Sequence, residues 1–542
     1  MEILRTENLT FYYPEKSLPA LENVSVSINK GEFITVLGET GCGKSTFLKM
    51  LKNEITPQGV KSGSVFINCK NQKDLTKIES ASTVGYVMQH PEMQIVTDKV
   101  YHELSFGLEN LGVSSDEISL KIAEMASYFG IEDLFEKEVN VLSGGQKQMM
   151  NLASVLVMNP KILLLDEPMS QLDPIAASEF ISMLKKINRD MGITVIIIEH
   201  RLEELLPLSD KILVFDNGKI KFFDSPHNVI NEIEKFSELI SFFPIPSRLY
   251  KLLDESEKCP LTVRDGRKFL EAKYNPSSEE IFLNNETEHK ASRSAIEFKN
   301  VFFKYNREDE DILNNLNFKV YENEVFCLLG GNGSGKSTLL SVTSGFLKAY
   351  SGKIKIFDKQ LKEYKNNSLF DGYMTLLPQD VQTLFSSDTV FDELNNDPYF
   401  IFDVEKFKEY HPYDLSAGEQ QLLAFAKILS RDSKIILLDE PTKGIDPITK
   451  NKIIDIINVL KKNGKTILIV THDIEFASEC ADRCALLFRG KISSVNFCRK
   501  FFRSNRFYTT SVCRMCSEHY PSAVTLKDLL FLCRKNKKEI IK

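Results

Sequence analysis

The residues most suited to chemistry stand in two short runs. Gly38-Glu39-Thr40-Gly41-Cys42-Gly43-Lys44-Ser45-Thr46 recurs 292 residues later as Gly330-Gly331-Asn332-Gly333-Ser334-Gly335-Lys336-Ser337-Thr338. Glycines at this spacing let successive backbone N–H groups turn inward on phosphate oxygens, and a helix N-terminus adds favourable partial charge. Lys44 and Lys336 would then reach the β- and γ-phosphates, and Ser45 and Ser337 would ligate Mg²⁺. A plain glycine turn before a lysine looks alike in isolation. Here each run follows an apolar strand (Phe33–Leu37; Val325–Leu329) and opens a helix (Ser45–Leu51; Ser337–Val342), which decides for a phosphate loop.

Carboxylates stand at the ends of two further apolar runs, Ile162-Leu-Leu-Leu-Asp166-Glu167 and Ile435-Ile-Leu-Leu-Asp439-Glu440, 122 and 103 residues after the loop lysines. The aspartates are placed to hold Mg²⁺ through water and the glutamates to polarise an attacking water, because phosphoryl hydrolysis depends mainly on positioning and charge stabilisation. His200 and His472 end apolar runs 34 and 33 residues after the aspartates. A lone strand-end histidine is usually structural, but the repeated placement marks these two as candidates.

The elements that must position these groups occur in the same order twice, so the chain is an internal repeat. Its 542 residues suit two to four domains. With 42% apolar and 26% charged residues it reads as globular, excluding a disordered tail protein or a collagen-like fibre. A net charge of −7 gives no case for a nucleic-acid binder. No run approaches the ~18–20 apolar residues of a bilayer span. Met1-Glu-Ile-Leu-Arg lacks the layout of a signal peptide, and ten cysteines without framework spacing suit reduced thiols in the cytosol. The expected layout is a first domain at residues 1–235, a connector at 236–294, a second domain at 295–498 and a tail at 499–542. Pro244, Pro246, Pro260 and Pro276 break up the connector, Pro226 stands just before it, and Asn275–Arg293 reads as the linker proper.

Leu142-Ser143-Gly144-Gly145-Gln146, repeated as Leu415-Ser416-Ala417-Gly418-Glu419, resembles the signature motif of ABC-type ATPases, and the resemblance covers nearly the whole chain. It implies an α/β fold of two tandem nucleotide-binding domains, each with a RecA-like core, an antiparallel β subdomain and a helical subdomain. The cofactors implied are ATP and Mg²⁺. In that family the two domains pair head to tail, here as an intramolecular pseudo-dimer. One site would join Lys44, Ser45, Gln89, Asp166, Glu167 and His200 to Ser416 and Gly418. The other would join Lys336, Ser337, Gln379, Asp439, Glu440 and His472 to Ser143, Gly144, Gly145 and Gln146. Tyr13 and Tyr305 match the aromatic residues that stack on adenine, and Gln89 and Gln379 match the metal-side loop that reports nucleotide state to a membrane partner. Asp173 and Asp446 match loops bridging the sites.

A narrower likeness lies in Gln89–Val100, Ser105–Gly112, Glu199–Glu204, Phe507–Thr510 and Ala523–Thr525. These resemble the fused ATPases of energy-coupling-factor importers. That likeness implies a peripheral translocase subunit on the cytoplasmic side of the cell membrane. It would be docked on a transmembrane T-type scaffold with a separate substrate-capture subunit, and its cargo would be a vitamin, a vitamin precursor or a metal ion. A twin ATPase acting on ribosomes is the alternative, disfavoured by the proline-broken connector; a sugar-importer tandem ATPase is another, disfavoured because both glutamates stand. Departures are Ala417 and Glu419 in the second signature, Met149 and Leu422 where arginine is common, and 36 rather than 53 residues between the Gln loop and the signature. Ala417 is expected to slow the first site, yet both sites are expected to hydrolyse ATP. Cys513-Arg-Met-Cys516 with His519 shows half of a zinc spacing, and buried thiols are the favoured reading.

Overall fold

The computed structural model describes residues 1–14, 16–255, 258–280, 293–365, 368–394 and 404–538. The chain divides into two compact units, Met1–Ser247 with Ser256–Thr262, and Arg248–Glu255 with Val263–Lys542.

In the first unit, uninterrupted apolar runs become fully buried strands: Phe33–Leu37, Ile162–Asp166 and Thr194–Ile198 are buried at every position. Such strands need cover on both faces, as parallel sheets have. The six-stranded sheet runs Lys219–Asp224, Lys211–Asp216, Phe33–Leu37, Thr194–Ile198, Ile162–Asp166 and Val84–Val87, parallel except for the first pair. The order is not sequential, so the carboxyl ends of strands far apart in sequence meet at one edge. That edge carries Gly38, Asp166 and His200. A four-stranded antiparallel sheet of Leu21–Asn29, Glu2–Tyr12, Val60–Ile67 and Lys70–Asn71 lies beside it. Leu21–Asn29 alternates buried and exposed residues, the signature of a sheet with one covered face.

The second unit repeats both sheets in the same strand order, with Val325–Leu329 between Thr466–Thr471 and Arg483–Phe488. The helical parts differ. The first unit has helices Val100–Asn110 and Ser115–Phe129, whereas the second has the single turns Val390–Glu393 and Val404–Phe407. Residues 395–403 between those turns lie outside the described residues.

Residues 263–280, assigned from sequence to the connector, pack on the tail. Helix Val263–Lys273 lies against Ser511–Cys516. The Asn275 amide donates to the Asn536 carbonyl at 2.9 Å, and the Ser277 amide to His519 O at 3.0 Å. Tyr274 and Tyr520 are fully buried, and the Tyr520 hydroxyl donates to Asn275 O at 2.9 Å. The rest of the expected linker, residues 281–292, lies outside the described residues. The tail also enters the core of the second unit through Phe501, Phe502, Cys513 and Val524. Cys513 and Cys516 are buried free thiols contacting the carbonyls of Ala523 and Tyr520. Among the described residues no cluster of three or more metal-ligating side chains forms.

Candidate functional site

Each phosphate loop closes on its own lysine. Lys44 Nζ donates to the carbonyls of Gly38 and Glu39, both at 2.7 Å, and Lys336 Nζ to those of Gly330 and Gly331 at 2.9 and 3.1 Å. Both lysines are buried in the loop's mouth. Glycine is obligatory at Gly38, where a Cβ would lie 2.5 Å from Phe215 O, and at Gly43, where φ is +103°. Gly43 and Gly335 start the helices Lys44–Met50 and Lys336–Thr343, which aim Ser45 and Ser337 at the carboxylate strand. Tyr13 donates to or accepts from Thr46 Oγ1 at 3.0 Å and meets Phe11 edge-on; Tyr305, Thr338 and Phe303 repeat this at 3.1 Å. Both tyrosine rings are therefore held beside their phosphate loops with a partly exposed surface.

The Ser45 hydroxyl donates to Asp166 Oδ1 at 2.8 Å, and Ser337 to Asp439 Oδ1 at 3.1 Å. Burial raises the pKa of both aspartates, Asp439 to about 6, an unfavourable charge placement that a cation would relieve. A hydroxyl and a carboxylate converging beside a phosphate loop are hard oxygen donors, so the residues fit Mg²⁺. Tyr86 adds a donor to Asp166 at 2.9 Å. Leu376 stands at the matching place in the second unit's strand Met374–Leu377, so Asp439 lacks this support.

Glu167 and Glu440 have φ of 44° and 47°, the left-handed region that non-glycine residues rarely adopt. The left-handed turn is a strain of order 1–3 kcal/mol that the surrounding bonds maintain. In the first unit Gln89 Nε2 donates to Glu167 Oε2 at 2.9 Å, and His200 Nε2 lies 3.1 Å from Glu167 Oε1. In the second, His472 Nδ1 lies 2.9 Å from Glu440 Oε2, the Thr471 hydroxyl donates to it at 3.1 Å, and Lys336 Nζ is 3.5 Å away. Burial pushes the Glu440 pKa up, but the His472 ring and Lys336 outweigh it and hold the carboxyl below its ordinary value. Gln379 follows the strand Met374–Leu377, with no bond to Glu440 among the described residues. The structure thus brings Gln89 into the first carboxylate cluster and leaves Gln379 outside the second.

The signature serines cap their helices. Ser143 Oγ accepts from the Gln146 amide at 3.3 Å while Gln146 Oε1 accepts from the Ser143 amide at 2.9 Å. Ser416 and Glu419 repeat the reciprocal cap, with the Ser416 amide donating to Glu419 Oε2 at 2.9 Å. Glutamate therefore does the same capping work as glutamine. The glycines are not equivalent. A Cβ on Gly144 meets nothing within 4 Å, whereas one on Gly145 lies 3.1 Å from Ala176 Cβ, and one on Gly418 lies 3.1 Å from Thr449 Oγ1. The Ala417 methyl thus occupies the position that is open in the first copy. Met149 and Leu422, at positions where arginine is common, pack against the apolar cores. Asp173 and Asp446 cap the helices Pro174–Met191 and Pro447–Lys462.

Sequence reasoning missed four groups. Tyr86 is one. Buried Glu103 accepts from the amides of Val96 and Thr97 at 3.1 and 2.9 Å and holds the turn after Gln89; Glu393 does the same for Ser386 and Ser387. Each stands 14 residues after its glutamine, and that repeated spacing is a signal present in the sequence. The third is Glu199, buried between Met169 and His200. Tyr508, from the tail, is the fourth: its hydroxyl lies 3.9 Å from where a Cβ on Gly331 would stand. No helix among the described residues is long and apolar enough to cross a membrane.

Residues 21–170 and 313–443 match the family model described as ABC transporter. A provisionally named ABC transporter ATP-binding protein of Bacillus cereus is 39% identical over 97% of both chains. The provisionally named HMP/thiamine import ATP-binding protein YkoD of Bacillus subtilis is 34% identical over 90% of both. Among solved structures, an archaeal ribosome recycling factor, aABCE1, superposes with a TM-score of 0.59 over 92% of this chain and 91% of that one, at 20% identity, a likeness of fold. With two complete phosphate-loop sites and these full-length relatives, the chain belongs to the ABC transporter ATP-binding family and is an ATPase.

Proposed function

We propose that this ATPase energises import of a small solute through an energy-coupling-factor-type membrane transporter. The observation that carries the reading is the full-length likeness to YkoD, 34% identical across 90% of both chains. The Gln89–Val100 segment, held by Glu103, supports it as a surface that responds to nucleotide. A T-type scaffold and a substrate-capture subunit are the partners proposed, with the ATPase on the cytoplasmic face of the membrane.

The geometry supports the following site roles. Lys44 and Lys336 exchange their loop carbonyls for the β- and γ-phosphates, since an ammonium group gains more from phosphate charge than from amide dipoles. The loop amides of Gly38–Gly43 and Gly330–Gly335 hold the phosphates, and Tyr13 and Tyr305 stack on adenine. Ser143, Gly144, Gly145 and Gln146, with Ser416 and Gly418, are assigned to the γ-phosphate. Glu167 and Glu440 orient the attacking water and take up its proton as its oxygen bonds to the γ-phosphorus and the bond from that phosphorus to the bridging oxygen breaks, releasing ADP. His200 and His472 hold these carboxylates in place. Magnesium, held by Ser45 and Asp166 or by Ser337 and Asp439, with Gln89 and Gln379 on the metal side, supplies neutralisation of phosphate charge when bound.

Purification of the chain from native membranes in mild detergent tests the import reading. Co-elution of a polytopic scaffold with a small hydrophobic subunit is the expected result. Recovery with ribosomal proteins, or with a sugar-type permease pair, would refute it and leave the ATPase assignment standing.

A further inference from the structure

The two histidine-bearing strand ends differ in the residue just before the histidine. In the first unit it is Glu199, only 3% exposed. One carboxylate oxygen accepts from the Met169 amide at 2.7 Å and the other from the His200 amide at 3.1 Å. Met169 stands in the loop that leads from Glu167 to Asp173, and Arg201 Nη1 donates to Leu172 O in the same loop at 3.3 Å. In the second unit the matching residue is Thr471, whose hydroxyl donates to Glu440 and accepts from the Asp473 amide at 3.0 Å. There the loop is tied by Thr442 Oγ1 to Asp473 at 3.3 Å.

We propose that Glu199 is the positioning residue of the first ATP site: its carboxyl group staples the loop running on from Glu167 to the backbone that carries His200, work the second site divides between Thr471 and Asp473. The proposal rests on the roles given above to Glu167 and His200.

The chemistry of the two arrangements is not interchangeable. A threonine hydroxyl donates to the catalytic glutamate directly and does not titrate. An ionised carboxylate only accepts, so Glu199 organises the site through backbone amides, and its bonds to them are strengthened by charge. The groups facing it are Glu167 at the end of the neighbouring strand, the Met169 amide from the loop, and His200 and Arg201 on its own segment. Burial and the Glu167 charge push its pKa to about 7, against the pull of Met169, His200 and Arg201. Above that pH both amide bonds are charge-assisted. Below it one oxygen carries a proton, the staple loosens, and His200 is held less firmly against Glu167. The first site therefore has a proton-sensitive contact at this place, where Thr471 gives the second a hydroxyl that does not titrate.

The test uses the full chain with Glu199→Gln, Glu199→Thr and Glu167→Gln, all checked for an unchanged melting profile. Threonine is the conservative choice because the second unit accommodates it at this place. The Met169 backbone amide resonance, assigned with Met169→Leu in a methionine-labelled chain, is followed from pH 5.5 to 8.5 alongside kcat and KM for ATP. An inflection near pH 7 in the wild-type Met169 amide curve is expected, absent in Glu199→Gln. A fall in kcat of about fivefold for Glu199→Gln is expected with KM within twofold, and Glu199→Thr is expected to recover part of it. A Met169 amide curve identical in wild type and Glu199→Gln overturns the proposal, as does an effect confined to KM. Full activity in Glu167→Gln would instead overturn the underlying assignment of the site.

Discussion

Adding one methyl group at each signature glycine separates what the domain itself requires from what it merely tolerates. In Gly145→Ala the new Cβ would stand 3.1 Å from Ala176 Cβ, against a carbon–carbon optimum of about 3.5–4.0 Å. Ala176 cannot retreat freely. It lies in the first turn of Pro174–Met191, where Asp173 Oδ1 accepts from the amides of Ile175 and Ala176 at 3.0 and 2.9 Å. Overpacking of this kind costs about 1–3 kcal/mol, and the helix gains back about 0.5–1 kcal/mol from replacing glycine by alanine. Gly144→Ala takes the gain without the contact, because its Cβ meets nothing within 4 Å. The glycine-to-alanine gain is common to both, so the two variants should differ by the overpacking cost, about 1–3 kcal/mol in the stability of the signature helix, Gly144→Ala being the more stable. Native-state hydrogen exchange of the amides in Gly144–Leu156 reads this difference locally, which matters in a chain of two units that need not unfold together. Equal protection in the two variants, or the reverse order, would refute the reasoning. The same logic explains how alanine is accommodated at Ala417 while Gly418 stays glycine against Thr449.

Phe501→Ala should cost about 3–5 kcal/mol in urea unfolding of the second unit, since this fully buried ring joins the tail to the core that carries Cys327 and Leu329. Glu103→Ala should strip the amides of Val96 and Thr97 of their acceptor, costing about 2–4 kcal/mol and speeding their exchange by at least tenfold, with Glu103→Gln less severe. Burial raises the Glu324 pKa from 4.5 to about 7, against the pull of Arg483 at 3.0 Å. A raised carboxyl pKa means that the folded state holds the extra proton, so this stability is full below the unfolded pKa and is lost as pH rises toward about 7, by at most ~3 kcal/mol. Thermal melts of Glu324→Gln should accordingly be flatter than wild type between pH 5 and 8, and parallel curves would contradict this.

Groups whose partners are close in sequence are legible from the chain alone. The phosphate loops, the strand-end carboxylates and the signature caps are each built within about ten residues, from an apolar run, a glycine or serine and a helix start. Backbone geometry alone then dictates where their atoms point. The repeat adds strength, because the same local pattern occurs twice in the same order. Glu103 and Glu393 belong to that pattern too, at a common spacing from the Gln loops, but a carboxylate inside an apolar helix face shows no purpose until the turn it holds is known.

The remaining features depend on which strands lie side by side. Tyr86 reaches Asp166 across 80 residues because Val84–Val87 pairs with Ile162–Asp166, and nothing in either segment announces the neighbour. Glu199 becomes a staple only because its strand lies beside the one ending in Glu167, so that Met169 turns back over it. The proline-broken connector reads as a spacer, yet Val263–Lys273 and Tyr274 bury themselves against a tail some 245 residues further on. Apolar periodicity tells a helix that it has a face to cover; which surface covers it is settled by the sum of all other packing. The local chemistry of both ATP sites is therefore written along the chain, while their asymmetry arises from contacts between segments that sequence separation keeps apart.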